Sequence, residues 1–154
     1  MPTITGKTLP QYVAEMRDED VSALGRRRIV DAFTDVTACA FAGAQEPLAQ
    51  PLLDVFPSSG AAAAATPSPV LGRPLYATPP DAALFNGAFA HALDYDDISH
   101  PAYSHPSVAL VPALYAACAY RPVTGRALVT AYATGLQVFG RLGRALNLTH
   151  AESG

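Results

Sequence analysis

Charged side chains are scarce in this 154-residue chain: they make up 15% of it, and ten basic against 13 acidic residues leave a formal net charge of −3. That balance excludes a charge-driven disordered tail and offers no basic surface for gripping nucleic acid, so a small molecule or another protein is the expected partner. Cysteine is equally sparse. Only Cys39 and Cys118 occur, each in an alanine-rich apolar stretch, which argues against a disulfide framework and reads as two packed free thiols in a reducing compartment. No run reaches the roughly 18 apolar residues of a membrane span, because Arg26 to Arg28, Asp31, Asp35, Asp54 and the cluster from Asp94 to Asp97 break every candidate. Residues 1–17 lack the basic lead and apolar stretch of a secretory leader, so a soluble protein in the cytoplasm is expected.

What the chain does have is apolar residues, half of the total, enough for one domain with a real core. Ile29, Phe33, Val36 and Ala40 recur at intervals of three and four, which predicts a helix from Asp20 to Gly43. Leu9–Met16 and Pro47–Phe56 read as short helices on either side. Between Pro57 and Pro80 six prolines and a five-alanine run deny any long helix. A bare linker is one reading of that stretch; a loop extended near Val70 to Tyr76, packed down by Val70, Leu71, Leu75 and Tyr76, is the other. Helical spacing returns from Asp81 to about Asp96, with Leu84, Ala88 and His91 on one face and Phe85, Phe89 and Ala92 on the next. A polar loop from Asp97 to His105 leads to a helix through Tyr120 that contains Pro112. After a turn at Arg121–Gly125, the last helix runs from Arg126 to Leu146, with Leu128, Tyr132, Gly135, Val138, Leu142 and Ala145 inward. Nothing alternates with period two, so the fold class is all-α.

Residues 91–106 concentrate three of the four histidines and three carboxylates, a costly crowding in an apolar region. On a helix, Gly87, His91 and Asp94 share a face, so His91 can bond Asp94 while Gly87 leaves room for an approaching group. An imidazole steadied by a carboxylate has a fixed tautomer and suits general acid or base work. His105 opens a helix with Pro106 in its first position and Ser107 beside it, where free backbone N–H groups favour an anion such as a substrate carboxylate. Plainer readings stand beside these. Asp96 and Asp97 can serve as helix and loop caps, and His91 can be a satisfied core histidine. His91, Asp94, Asp96 and His105 can also be metal ligands of a small hydrolase. His100 reads as exposed, and Gln137, Arg141 and Arg144 as a solvated stripe or a carboxylate clamp. A non-catalytic helical module that self-associates through the last helix is the alternative to an enzyme.

The stretch Asn86-Gly-Ala-Phe-Ala-His-Ala-Leu-Asp-Tyr-Asp-Asp97, followed after seven residues by His105-Pro-Ser107 and then Pro112, resembles the signature of the MmgE/PrpD enzymes, which include 2-methylcitrate dehydratase and cis-aconitate decarboxylase. Ile29-Val-Asp-Ala-Phe33, Phe41-Ala-Gly43 and Gly135 to Gly143 extend the likeness over nearly the whole chain. The resemblance implies a helical N-terminal domain without the α+β lid of the full enzyme. It further implies a lyase that removes water or carbon dioxide from polycarboxylates by side-chain acid/base chemistry, with no metal and no cofactor. Carried over, His105 is the proton-transfer residue and Asp94 orients it or the substrate; His91 also matches the motif, and with Ser107 and Asp97 it is expected to contact substrate. Ile98 stands where the family often has threonine. The family continues beyond a glycine like Gly154 into a second active-site histidine and later cationic residues. A tricarboxylate brings about three negative charges that one imidazole and a helix end do not neutralise. The expectation is therefore a single incomplete domain over 1–154, inactive alone and completed as a homodimer or by a C-terminal polypeptide.

Overall fold

The structure, a computed structural model, describes residues 8–55, 66–100 and 103–146; the five-alanine run and the expectations concerning Phe56 and Gly154 lie outside them. Six α-helices occur among the described residues: α1 (Leu9–Glu15), α2 (Ala23–Gly43), α3 (Ala49–Val55), α4 (Pro79–His91), α5 (Pro106–Ala117) and α6 (Gly125–Leu146). The domain is thus mostly helical, as the periodicity requires. None of these helices is long and apolar enough to cross a membrane.

Helix ends follow local chemistry rather than apolar spacing. Helix α2 starts at Ala23, three residues later than expected, because the Ser22 side chain accepts the Gly25 N–H at 3.1 Å, a cap that places non-helical backbone just before it. The acidic residues Asp18–Asp20 ahead of it form a 3-10 turn. Helix α4 begins earlier than Asp81, at Pro79, because Thr78 caps it and donates its hydroxyl proton to Asp81 at 2.6 Å. It also ends at His91 rather than near Asp96. Asp94 has φ of 56°, a left-handed conformation that terminates the helical run and that aspartate tolerates better than most residues.

A small sheet interrupts the helices. Strands β1 (Ser68–Val70) and β2 (Leu75–Ala77) pair antiparallel, Val70 opposite Leu75 and Ser68 opposite Ala77, with Gly72 at φ +74° in the connecting turn. Three-residue strands are too short for alternation to show in sequence. Asn86 of α4 fastens the hairpin: it is buried, accepts the Leu71 N–H at 2.7 Å and donates to the Pro69 carbonyl at 3.1 Å.

The core lies on both sides of α4. Phe85 and Phe89 are fully buried and stack with ring centroids 6.5 Å apart, against Val36 and Ala40 of α2 and Val111 of α5. Two glycines set how closely the helices approach. A Cβ on Gly43 would strike the Phe89 carbonyl, and one on Gly87 would lie 2.9 Å from the Val108 carbonyl. The second contact is tied to Pro112, which has no N–H for the carbonyl four residues earlier, that of Val108. Gly87 therefore seats helix α4 against a carbonyl that α5 itself leaves free, and the space it was expected to leave for a ligand is filled by α5.

Helix α6 crosses α5 and α2 through Tyr132 and Ala133, both buried. Its far end runs past the core: Leu142 is 48% exposed and Ala145 is exposed, contrary to the inward placement that spacing suggested. Arg141, expected on a solvated or carboxylate-binding stripe, stacks 4.4 Å over the Tyr12 ring and ties α1 to α6. Asp18 joins three segments, pairing with Arg26 at 2.6 Å and Arg126 at 3.3 Å and accepting from Thr130 at 3.3 Å. The hydrogen bond from Arg26 is the largest influence holding the Asp18 carboxyl below its usual value, against an opposing effect of burial.

Two outcomes follow from these contacts. Gly43→Ala and Gly87→Ala each force helix backbones apart and lower unfolding free energy by about 1–3 kcal/mol, read as a lower denaturant midpoint at unchanged slope; undiminished stability in both would refute the close-packing account. Because folded Asp18 ionises more readily than unfolded Asp18, its contribution is full above the ordinary carboxylate range and vanishes as pH falls through the lowered value. Asp18→Asn therefore lowers Tm at about pH 7, and by progressively less as the pH falls below the ordinary carboxylate range, in thermal melts across that range.

Candidate functional site

The turn leaving α4 and the N-terminus of α5 meet at one corner, where His91, Asp94, Asp96 and His105 converge with potential ligand atoms within 4.8 Å of one another. His91 is the last residue of α4 and His105 immediately precedes α5, so helix packing fixes the backbone of both. Their rings lie with centroids 4.6 Å apart, inclined at 59°. Beneath them is Asp96, whose side chain is 0% exposed. His91 Nδ1 is 3.0 Å from Asp96 Oδ1 and 3.2 Å from Oδ2. His105 Nδ1 is 2.9 Å from Asp96 Oδ2, although its N–H direction is too oblique for an aligned hydrogen bond.

Asp94 occupies the outer side of the same corner. Its side chain is 77% exposed, and Oδ1 lies 3.7 Å from His105 Nε2. The two residues expected to act together, Asp94 and His105, thus share one site. The expected His91–Asp94 hydrogen bond does not form: the separation is 4.0 Å, and Asp96 takes that place. The cause is the early end of α4, which removes the helical i, i+3 relationship and lets the left-handed turn at Asp94 swing Asp96 under both rings.

Asp97 turns the other way. Its Oδ1 accepts the Ser107 N–H at 3.2 Å and its Oδ2 the Ser107 hydroxyl at 2.6 Å. The anion at the helix N-terminus is thus the chain's own carboxylate, acting as the cap that the His105 side chain does not provide. Ser107 is completely buried, with Tyr132 OH 2.5 Å from its oxygen. Since the serine proton points to the carboxylate, Tyr132 donates. Burial pushes the Tyr132 phenol up, the Ser107 bond opposes that shift, and the Asp97 charge adds to it. Asp97 and Ser107 therefore hold α5 to α6.

Cys39 of α2 is buried near this corner. Its thiol is pushed up first by burial and then by the charges of Asp35 and Asp96, the behaviour of an unreactive packing residue. Cys118 is half-buried and donates to the Leu114 carbonyl at 3.2 Å. His100 is exposed, its ring edge-on to Tyr103 at 6.3 Å. Among the described residues no arginine or lysine pairs with Asp94, Asp96 or Asp97; the ion pairs formed by arginine go to Asp18 and Asp31. The corner is open to solvent, and the apolar groove of about 890 Å³ between α1 and α6 contains none of its residues.

Sequence reasoning gave Asp96 only a capping or metal-binding part and Tyr132 only a place in the core. Apolar spacing carries α4 too far for the bridging of both rings by Asp96 to show, although Asp96 does stand in a group that could hold a metal ion. Tyr132 is buried as expected, and its bond to Ser107 has no local signal, since the two are 25 residues apart. Ser107→Ala should leave the Tyr132 hydroxyl and Asp97 without their shared partner, lowering stability by about 1–3 kcal/mol; calorimetry showing no loss would remove the buried relay as a structural element.

A family model for the MmgE/PrpD N-terminal domain matches residues 7–153. Over 82 residues the chain is 43% identical to cis-aconitate decarboxylase of Mus musculus, a match covering 50% of this chain and 17% of that protein. The Homo sapiens cis-aconitate decarboxylase is 41% identical over 80 residues, 49% of this chain and 16% of the relative. The aligned region is thus a small part of either decarboxylase. With the family model spanning nearly all of its residues and the His–Asp corner formed by the signature stretch, the chain belongs to the MmgE/PrpD family, whose N-terminal domain it carries.

Proposed function

We propose that this domain supplies the proton-handling part of a lyase acting on a small polycarboxylate, with His105 transferring the proton and Asp94 orienting the imidazole or the substrate. The observation that carries the reading is the His105 ring itself, which presents Nδ1 to buried Asp96 and Nε2 to exposed Asp94. A ring steadied on its inner nitrogen exchanges protons through its outer one. In dehydration that nitrogen would take a proton from carbon as hydroxide leaves, or protonate the departing hydroxyl. In decarboxylation it would deliver a proton to the carbon that loses carbon dioxide. The cis-aconitate decarboxylase relatives favour the second reaction, and 2-methylcitrate remains the substrate for the first.

The same ring orientation weighs against a metal-dependent hydrolase. A tetrahedral ion with bonds of about 2.1 Å needs one nitrogen from each imidazole aimed at a common centre. Here both Nδ1 atoms converge on Asp96, which itself fills the position between the rings, although one ligand atom from each of His91, Asp94, Asp96 and His105 lies within 4.8 Å of the others.

The charge of the substrate sets the remaining requirement. A tricarboxylate carries about three negative charges, and Asp94 and Asp96 add to them at this corner, so the ligand needs cations from outside it. We therefore assign the isolated domain no turnover and place the missing cations on a complementing C-terminal polypeptide or a second subunit. The test is turnover of cis-aconitate and of 2-methylcitrate by the chain with and without the complementing polypeptide. Activity is expected only in combination, and His105→Ala is expected to reduce kcat by about 10²–10⁴-fold. Full activity of the chain alone, none in combination, or an unaffected His105→Ala enzyme would each overturn the proposal.

A further inference from the structure

The buried carboxylate between the two imidazoles touches the inner nitrogen of the ring that transfers the proton in the reading above, and it is the least exposed charged group of the corner. Asp96 has 0% of its side chain accessible, and each of its oxygens is within 3.0 Å of an imidazole Nδ1, Oδ1 with His91 and Oδ2 with His105. It receives no arginine or lysine among the described residues, and Cys39 of α2 packs near enough to feel its charge. A carboxylate in such surroundings is tolerated only when hydrogen-bonded or paired. Among the described residues, the two rings are the partners it has.

We infer that Asp96 is a positioning residue that holds His91 and His105 together in the Nδ1–H tautomer, so that both Nε2 atoms are left as proton acceptors toward the open side of the corner. Three geometric facts carry this. Both Nδ1 atoms, and neither Nε2 atom, lie on Asp96. The rings are neighbours at 4.6 Å, inclined rather than coplanar, which is how two groups look when tethered to different oxygens of one carboxylate. His91 is half exposed and Asp94 lies 3.7 Å from His105 Nε2, so the outer nitrogens face solvent and the second carboxylate. The nitrogen that carries the proton in a neutral histidine is set by the hydrogen bond made by the other face of the ring. A small rotation of His105 would bring its oblique contact into line, a tightening common when a site closes on its ligand. A proton arriving at His105 Nε2 would then sit between a ring fixed by Asp96 and the carboxylate of Asp94.

This inference deepens the lyase reading and rests on it for its catalytic meaning, but its test reads no turnover. With histidine nitrogens labelled by 15N, long-range proton–nitrogen spectra of the whole chain at neutral pH distinguish the two tautomers ring by ring. His91 and His105 are expected as Nδ1–H, and exposed His100, which contacts none of these carboxylates, serves as the internal reference. Asp96→Asn is expected to return both rings to the mixture that His100 shows. Nε2–H rings in the unaltered chain would overturn the inference, and that result needs no variant to fold. Rings unchanged by a folded Asp96→Asn variant would overturn it too, as would nitrogen shifts in the unaltered chain that move when a chelator is added. If the tautomers are as expected and the completed assembly still turns over neither acid, the lyase reading fails while the positioning role stands. If turnover is found with the wrong tautomers, the reverse holds.

Discussion

A carboxylate sealed from water is among the costliest groups a small domain can contain, worth several kcal/mol of destabilisation when left unpaired, and Asp96 is such a group. Its two oxygens are met by His91 at 3.0 Å and His105 at 2.9 Å. Those residues come from the end of one helix and the threshold of the next, so the carboxylate closes the corner as a cross-strut would. Removing either ring would strip a partner from a buried charge, and removing the charge would leave two imidazoles with no fixed orientation. The reactive geometry and the local stability of the corner are one arrangement seen from two sides.

Packing brings the strut within reach. Helix α4 lies against α2 through Gly43 and against α5 through Gly87, and in both cases the missing Cβ is replaced by a backbone carbonyl of the neighbouring helix. Pro112 and Gly87 belong together in this account, one freeing the Val108 carbonyl and the other making room for it. Asp97 then secures α5 by its first turn, with Ser107 and Tyr132 carrying the bond onward to α6. Neighbouring aspartates divide the labour: Asp96 faces the imidazoles, Asp97 faces the helix, and Asp94, exposed in a left-handed turn, faces whatever enters.

The parts of this arrangement that the sequence discloses are those governed by local periodicity. Ile29, Val36 and Ala40 mark a buried stripe of α2 at helical spacing, and Phe85 and Phe89 do so for α4. The signature stretch also gathers Asp94 and His105 at one corner, since only a tight loop separates the helices that carry them. Periodicity does not show where a helix stops when no glycine or proline marks the place, so apolar spacing carries α4 past His91 and pairs His91 with Asp94 rather than Asp96. It shows nothing of a hairpin three residues wide, or of the grip of Asn86 on that hairpin, because each depends on partners brought close by the fold. Leu142 misleads for the opposite reason: it keeps the spacing of a buried residue at a point where α6 has outrun the core beneath it.

Charge is the feature of this corner that bears most on what could cover it. Three aspartates and two histidines stand there without an arginine or lysine partner among the described residues. Like charges repel most strongly where water is excluded, so a polyanion could not be held against this surface in a closed site unless cations were brought to it. While the corner is open, solvent screens Asp94, whose side chain is 77% exposed. Covering it would remove that screening, strengthening both the repulsion between Asp94 and an anionic substrate and the attraction of each for an imidazolium at His105. A covering polypeptide that carries positive charge would relieve the first effect and keep the second. On the lyase reading proposed above, that combination would make proton delivery from His105 conditional on assembly, and an open His–Asp corner and a sequestered site would then be compatible states of the same residues.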